Sequence, residues 1–302
     1  MTLQDFTAPD ASWRRWAGDG AHLHDGPRNG SGAGPSQLAV IIIGFQAPAT
    51  LAHAVQSVRS QSAQVEIVVV NSGGGDVRKV LGPDLDHIRL IQTETPLFVG
   101  AARNIGIETS RAPFVAFLAA DCIALPGWVD GRVARHLAGA RMVSSAVATA
   151  RPGTVIGTLA EWLVFPLRGP TLGEDEAIHY GRSFCRTMFA KAGFFAPELR
   201  VGEDSEFHRR ADMIVEPVWA PEISVKHDDP ASILALLLDL RQRGLRAASH
   251  LRPGRVPQTG PDWVTRQMKV RNQQIRQSLR GRPGLGRVRR VQLGLADRKS
   301  VV

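Results

Sequence analysis

The sequence predicts an α/β fold: a mostly parallel sheet with helices on both faces and a small mixed region beside it. Three observations carry this. Continuous apolar, β-branched runs recur ("LAVIIIGF", "VEIVVVN", "PFVAFLA"), as in strands buried on both faces. Stretches with one apolar face at helical spacing separate them. Polar residues follow the runs, at the strand ends where open parallel sheets bind ligands.

The elements follow in order. Residues 1–36, rich in Gly, Pro and polar residues without a sustained period, read as a flexible leader. "LAVIIIGF" (38–45) is the first strand. "TLAHAVQSVRSQ" (50–61) places Leu51, Ala54, Val55 and Val58 on one helix face, with Thr50 before it as a cap. Strands are expected at 65–71, 87–92 and 113–119, with a helix at 99–110 between the last two, and a further strand at 141–150. The stretch 151–200 is irregular. "GEDSEFHRRADM" (202–213) reads as a helix with acidic residues in its first turn. "IVEPVWA" and "ISVKH" read as two short strands, and 231–249 as a long amphipathic helix. The expected organisation is a leader to 36, a domain over 37–250 and a basic extension over 251–302.

At 302 residues with 43% apolar and 22% charged residues, the chain has the composition of a soluble globular protein. The two cysteines, Cys122 and Cys185, form no disulfide framework and fit a reducing, cytoplasmic setting. The N-terminal stretch lacks the pattern of a secretory signal, and the apolar runs are shorter than the roughly 20 residues of a membrane span. The net charge of +9 is unevenly spread. Residues 241–302 hold sixteen Arg and Lys against two Asp, a surplus of +14, which leaves −5 on the first 240 residues. A basic end of this kind suits an anionic lipid surface, nucleic acid or plain solvent. Nucleic acid is the weakest partner, because the segment has one aromatic, Trp263, and no recognised binding motif. The apolar face of 231–249 has three candidate partners: the sheet, a second subunit as in a homo-oligomer, or lipid.

Common nucleotide and nucleophile motifs are missing. "IIIGFQAPAT" is not a dinucleotide-binding glycine pattern, "NSGGGDVRK" lacks the P-loop ending, and no G-x-S-x-G elbow occurs. What remains is a lone carboxylate, Asp121, at the end of a buried run. An isolated ionised carboxylate is costly to bury, so Asp121 belongs at an edge or beside a cation. With the distant imidazole of His227 it makes a pair suited to a divalent cation, which in turn suits a diphosphate.

Four segments, "LAVIIIGFQAPATLAHAVQSVRSQ", "VEIVVVNSGGGD", "GAARNIGIETSRAPFVAFLAADCIALPGWV" and "GFFAPELRVGEDSEFHRR", resemble in order and spacing the blocks of family-2 glycosyltransferases of the GT-A fold, a Rossmann-like architecture. The resemblance covers roughly residues 38–250. It implies inverting transfer of a sugar from a nucleotide diphosphate sugar to a hydroxyl on a glycan, lipid-linked or small-molecule acceptor, with Mg2+ or Mn2+ as cofactor. In the family pattern the fourth strand ends in Asp-x-Asp. Here it reads Ala119-Ala120-Asp121, so only the last aspartate, the metal-binding one, is kept. The resemblance further implies Asp204 as catalytic base with Glu203 beside it. It places Phe45, Gln46, Asn71, Arg103 and Asp121 at the nucleotide, with Gln46 base-proximal and Asn71 where relatives carry a base-reading Asp, and Asp121 and His227 on the metal.

Each residue also has an ordinary reading. Asp121 serves equally as a turn or cap residue, and Glu203 and Asp204 as complements to a helix dipole. His227 beside "HDDP" fits a surface, Asn71 a turn, Arg103 a structural ion pair, and Trp128 the packing of the helix after the turn. Two other functions stay open: a non-catalytic sugar-nucleotide or glycan-binding relative, motivated by Ala119, and a basic nucleic-acid-binding protein.

Overall fold

In the computed structural model, residues 12–248 are described, apart from 19, 31–33 and 63. A nine-stranded sheet runs in the order β1-β4-β3-β2-β5-β8-β7-β9-β6. Its strands are β1 (His22–Asp25), β2 (Leu38–Phe45), β3 (Val65–Ser72), β4 (Arg89–Thr93), β5 (Phe114–Ala119), β6 (Cys122–Ala124), β7 (Met142–Thr149), β8 (Ser183–Cys185) and β9 (Val218–His227). The helices are α1 (Arg14–Ala17), α2 (Leu51–Arg59), α3 (Val77–Leu81), α4 (Val99–Thr109), α5 (Trp128–Leu137), α6 (Val155–Leu163), α7 (Thr187–Ala192), α8 (Glu203–Asp212) and α9 (Ile233–Ala248).

Strands β4, β3, β2 and β5 form a parallel block. Side chains alternate along each strand, so one apolar run feeds two cores. Leu38, Val40 and Ile42 of β2, with Val65, Ile67 and Val69 of β3, pack with Leu51, Val55 and Val58 of α2. Ile41, Val68, Val70 and Val115 face the other way, toward Ile105 of α4 and a cluster of Phe184, Phe189, Phe195 and Phe207. Each fully buried Val, Leu or Ile contributes about 1.5–3 kcal/mol. Gly106 of α4 allows close helix–sheet packing, since a Cβ there would lie 2.4 Å from a side-chain carbon of Ile41.

Strand order reverses between β2 and β5, because the chain steps outward through β3 and β4 before returning to the other side of β2. This is the switch point at which doubly wound sheets open a crevice. Beyond β5 the sheet becomes mixed. β8 pairs antiparallel with β5 and β7, β9 runs parallel to β7, and β6 runs antiparallel to β9.

The structure corrects three expectations. The leader is not without structure where it is described: β1 pairs antiparallel with β4, Trp13 and Ala17 are buried in the second core, and Asp25 binds Arg89 at 2.8 Å. A four-residue edge strand has too few residues to show a period, and its pairing partner lies far along the chain. The two short strands expected around Pro221 are one strand, β9, which passes an irregularity opposite Ser145 and Ala146. Pro lacks an N–H and is tolerated where the ladder is interrupted. Within the stretch read as irregular, α6, β8 and α7 form. Residues 1–11 and the basic extension over 251–302 lie outside the described residues. Among the described residues, no helix is long and apolar enough to cross a membrane.

The N-terminal ends of the parallel strands are tied by charge. Glu66 is buried on β3, binds Arg89 at 2.8 Å, and accepts from the backbone N–H of Arg111 (2.7 Å) and Ala112 (3.0 Å) just before β5. Removing one member of a buried pair leaves the other uncompensated. Glu66→Ala is therefore expected to cost about 3 kcal/mol, at the lower end for a broken buried pair because Asp25 remains on Arg89. Urea unfolding measures this, and a loss below about 1 kcal/mol would remove the pair from its bracing role.

Candidate active site

The turn after β5 places Asp121 at the mouth of the switch-point crevice. Its side chain is 51% exposed, so the carboxylate sits at an edge, as its cost of burial requires. β6 leaves this turn and pairs with β9, setting Cys122 opposite His227, while the Asp228 N–H donates to the Asp121 carbonyl at 2.9 Å. As a result Asp121 Oδ2 lies 3.7 Å from His227 Nε2. On the far side of the ring, His227 Nδ1 is 3.4 Å from Asp229 Oδ1, a long contact. The Asp229 side chain is fully buried, and its other oxygen accepts from the Thr149 hydroxyl and from the Ala150 N–H at 2.9 Å. An imidazole held at one nitrogen by a carboxylate presents the other nitrogen in a set direction. Asp229 went unnoticed in the sequence, although its spacing of two from His227 was there to read.

Helix α8 lines the same cleft through Asp204 and His208. Gly202, with φ 83°, turns the chain into this helix, and Asp204 follows in its first turn. Asp204 lines the same cleft as Asp121 and His227, an opening of about 390 Å3, and its Oδ1 accepts from the Ser205 N–H at 2.7 Å. Glu203 is buried and bound to Arg103 at 3.0 Å. The Arg103 guanidinium lies over the rings of Phe117 and Phe195, 5.4 and 4.9 Å from their centroids. This pair joins α8 to α4 beside Asp204, and Arg103 also lines the cleft.

The residues expected at the nucleotide after β2 and β3 lie close together. Asn71 is fully buried: its Oδ1 accepts from the Ala47 N–H at 2.9 Å and its Nδ2 donates to the Gly74 carbonyl at 2.8 Å. With both ends of the amide bound to backbone and no exposed surface, Asn71 braces the loops after β2 and β3. The loops it braces are unusual. Gln46 and Ala47 adopt φ of 56° and 49°, and Gly73, Gly74 and Gly75 all have positive φ, a conformation that favours glycine. A Cβ on Gly75 would lie 2.6 Å from the Gln46 backbone. Phe45 and Gln46 are exposed at the end of β2, Phe45 against Gly73, and neither lines the cleft that holds Asp121.

Trp128 is fully buried beneath the Arg132 guanidinium, a packing role. Cys122 Sγ is 3.7 Å from Asp121 Oδ1, and burial, with Asp121 next to it, pushes the thiol well above its usual value. Among the described residues, no group of three or more His, Cys, Asp or Glu is arranged to hold a metal ion. At this turn Asp121, His227 and the exposed Asp228 border one opening.

Comparison with known proteins bears on the family and the fold. Residues 39–192 match the family described as glycosyl transferase family 2. The succinoglycan biosynthesis protein ExoU of Rhizobium meliloti (strain 1021) is 29% identical over 99 residues, 32% of this chain and 29% of that protein, so the match spans less than a third of the relative's length. The fold resembles that of S. aureus TarS 1-349 in complex with UDP-GlcNAc (TM-score 0.51, 14% identity, 66% of this chain and 60% of that one). It also resembles the mannosyltransferase PcManGT from Pyrobaculum calidifontis in complex with GDP-Man and Mn2+ (TM-score 0.51, 18% identity, 81% and 71%). At these identities the likeness concerns the GT-A fold.

The cleft also holds a titration signature. His208 lies on its wall with Nδ1 buried and without a hydrogen-bond partner. Burial, then the nearby Arg182, Arg103 and Arg168, push this imidazole down to about 2. Burial likewise pushes His136 down to about 4, the Arg132 charge adding and the Ala140 carbonyl opposing. Both rings stay neutral in the folded chain while the unfolded chain takes up protons below about pH 6.5. Stability is then complete above that pH and falls below it, by about 1.4 kcal/mol per pH unit for each ring. Urea midpoints are expected to drop between about pH 6.5 and 4.5, with a shallower drop in His208→Gln. Equal slopes for the two proteins would contradict the assignment.

Proposed function

Since the chain belongs to glycosyl transferase family 2, matched over residues 39–192, we propose that it transfers a sugar from a nucleotide diphosphate sugar to a hydroxyl acceptor, with inversion and with Mg2+ or Mn2+. The observation that carries this reading is that Asp121, His227 and Asp204 line one cleft at the strand-order reversal. The neighbours of the same fold, by their descriptions, bind UDP-GlcNAc in one case and GDP-Man with Mn2+ in the other, which supports a donor of this class.

In an inverting displacement the acceptor hydroxyl attacks the anomeric carbon from the side opposite the departing diphosphate. Asp204 is the base that accepts the hydroxyl proton, a contribution typically worth about 10²–10⁴-fold. Glu203 and Arg103 hold α8 in register so that Asp204 faces the cleft. The loops braced by Asn71 present Phe45 and Gln46 to the nucleobase, Phe45 by ring contact and Gln46 through its amide.

A divalent cation fits the donor set. Asp121 Oδ2 and His227 Nε2 approach one another within 3.7 Å, the imidazole is oriented by Asp229, and the remaining positions are left to water and phosphate oxygens, as Mg2+ and Mn2+ accept. When bound, the cation supplies charge stabilisation to the leaving diphosphate. Ala119 is exposed at the end of β5 and brings no second carboxylate. That absence favours one rival reading, a sugar-nucleotide-binding relative without turnover.

Two substitutions test the assignment. Asp204→Asn is expected to lower transfer at least about 10²-fold while nucleotide affinity, by calorimetry, stays within a few-fold; undiminished transfer would remove Asp204 from its role. Asp229→Asn is expected to weaken Mn2+ binding about 10–100-fold by releasing the ring of His227; unchanged Mn2+ affinity would remove the cation from His227. Release of nucleoside diphosphate from a panel of donors with Mn2+, abolished in Asp121→Ala, separates the enzyme from the binding relative.

A further inference from the structure

Helix α9 has two different faces. Its inner face packs on α6, buries Leu236, and sends Arg243, bound to Asp239 at 2.7 Å, to the cleft that contains Asp121 and His227. Its outer face leaves Ile233, Leu234, Leu237, Leu238 and Leu245 each more than half exposed. At about 100° per residue these five side chains fall on one arc of the helix, with the exposed Arg241 inside it. Five aliphatic side chains on one open face form a contiguous patch, which differs from the scattered exposed residues normal for a protein surface.

We propose that α9 lies in the plane of an anionic lipid surface with this aliphatic arc turned into the acyl boundary. Charge selects lipid as the occupant. The sequence from 241 onward carries a surplus of +14 while the first 240 residues carry −5, so an anionic surface attracts the α9 end and repels the body. A second copy docked through the same face would bring two such basic ends together, which opposes pairing. Arg241 within the arc suits an interface, since its stem stays in apolar surroundings while its guanidinium reaches lipid phosphates. The helix is an in-plane element and not a span, in keeping with the lack of a membrane-crossing helix among the described residues. Docking of this kind leaves the inner face of α9, with Arg243, turned to the cleft. It does not depend on sugar transfer.

The test is co-sedimentation of the full chain with vesicles of phosphatidylcholine containing phosphatidylglycerol, compared with phosphatidylcholine alone. The wild-type chain is expected to sediment with the anionic vesicles only, and less so at high salt, because the Debye length falls from about 10 Å at 0.1 M to about 3 Å at 1 M. Leu234→Ser/Leu237→Ser/Leu238→Ser is expected to lose at least about tenfold in vesicle affinity. Should the triple variant fail to fold, Leu234→Ser alone, at the most exposed of the five positions, is expected to lose about threefold. Vesicle binding equal in wild type and variant would overturn the proposal, as would no binding by either. So would light scattering that shows the substitutions converting a dimer to a monomer. Donor hydrolysis in solution, unchanged by these substitutions, keeps this result separate from that of the transferase reading.

Discussion

The antiparallel register that sets Cys122 opposite His227 is the constraint on which the site depends. β6 is three residues long, yet it fastens the turn after β5 to the end of β9, and these segments lie more than a hundred positions apart in the chain. Without that pairing Asp121 would be a solvated turn residue and His227 the last residue of a strand. With it, a carboxylate and an imidazole converge at 3.7 Å, and the Asp228 N–H bound to the Asp121 carbonyl closes the arrangement. Asp229 then supplies what pairing alone does not: a buried acceptor behind the ring, itself anchored by Thr149 and Ala150 at the end of β7.

The two ends of the parallel block are built on opposite electrostatic principles. At the N-terminal ends, charges are buried and compensated. Glu66 meets Arg89 and two backbone N–H groups, and Arg186 donates to the carbonyls of Ala112 and Ile107 and to Ser110, burial pushing its guanidinium down to about 10. At the C-terminal ends Asp121 stays half exposed and Asp204 partly so, and buried polarity braces what surrounds them: Glu203 with Arg103 ties α8 to α4, and Asn71 ties together the loops after β2 and β3. Rigidity at one end permits openness at the other, which is where parallel sheets bind ligands. α9 extends the same economy, since one face meets the cleft and the other is left to a partner.

How much of this was legible in the chain follows from the range of each interaction. β2, β3 and β5 were readable because burial on both faces demands an unbroken apolar run, and α2 and α8 because burial on one face demands helical spacing. Asp121 was readable as a carboxylate ending such a run, and Asp204 as an acid at a helix start. β1 and β8 were not readable, for strands of four and three residues carry no period and exist through their partners. The burial of Asn71 was not readable, because a polar residue after a strand looks the same in sequence whether it is open to solvent or buried under two backbone bonds.

The sequence by itself determined the layered α/β class, the principal strands and helices, the family resemblance, the uneven charge and the places of Asp121 after a strand and Asp204 at a helix start, because each is a property of composition or of near neighbours. Tertiary structure alone decided that Asp229 stands behind His227, that Glu203 and Arg103 bind one another, that Asn71 is spent on loops, and that the leucines of α9 remain uncovered. Those facts rest on contacts between residues distant in the chain, and a linear pattern holds no record of which distant groups will meet or of which side chains will lose their water.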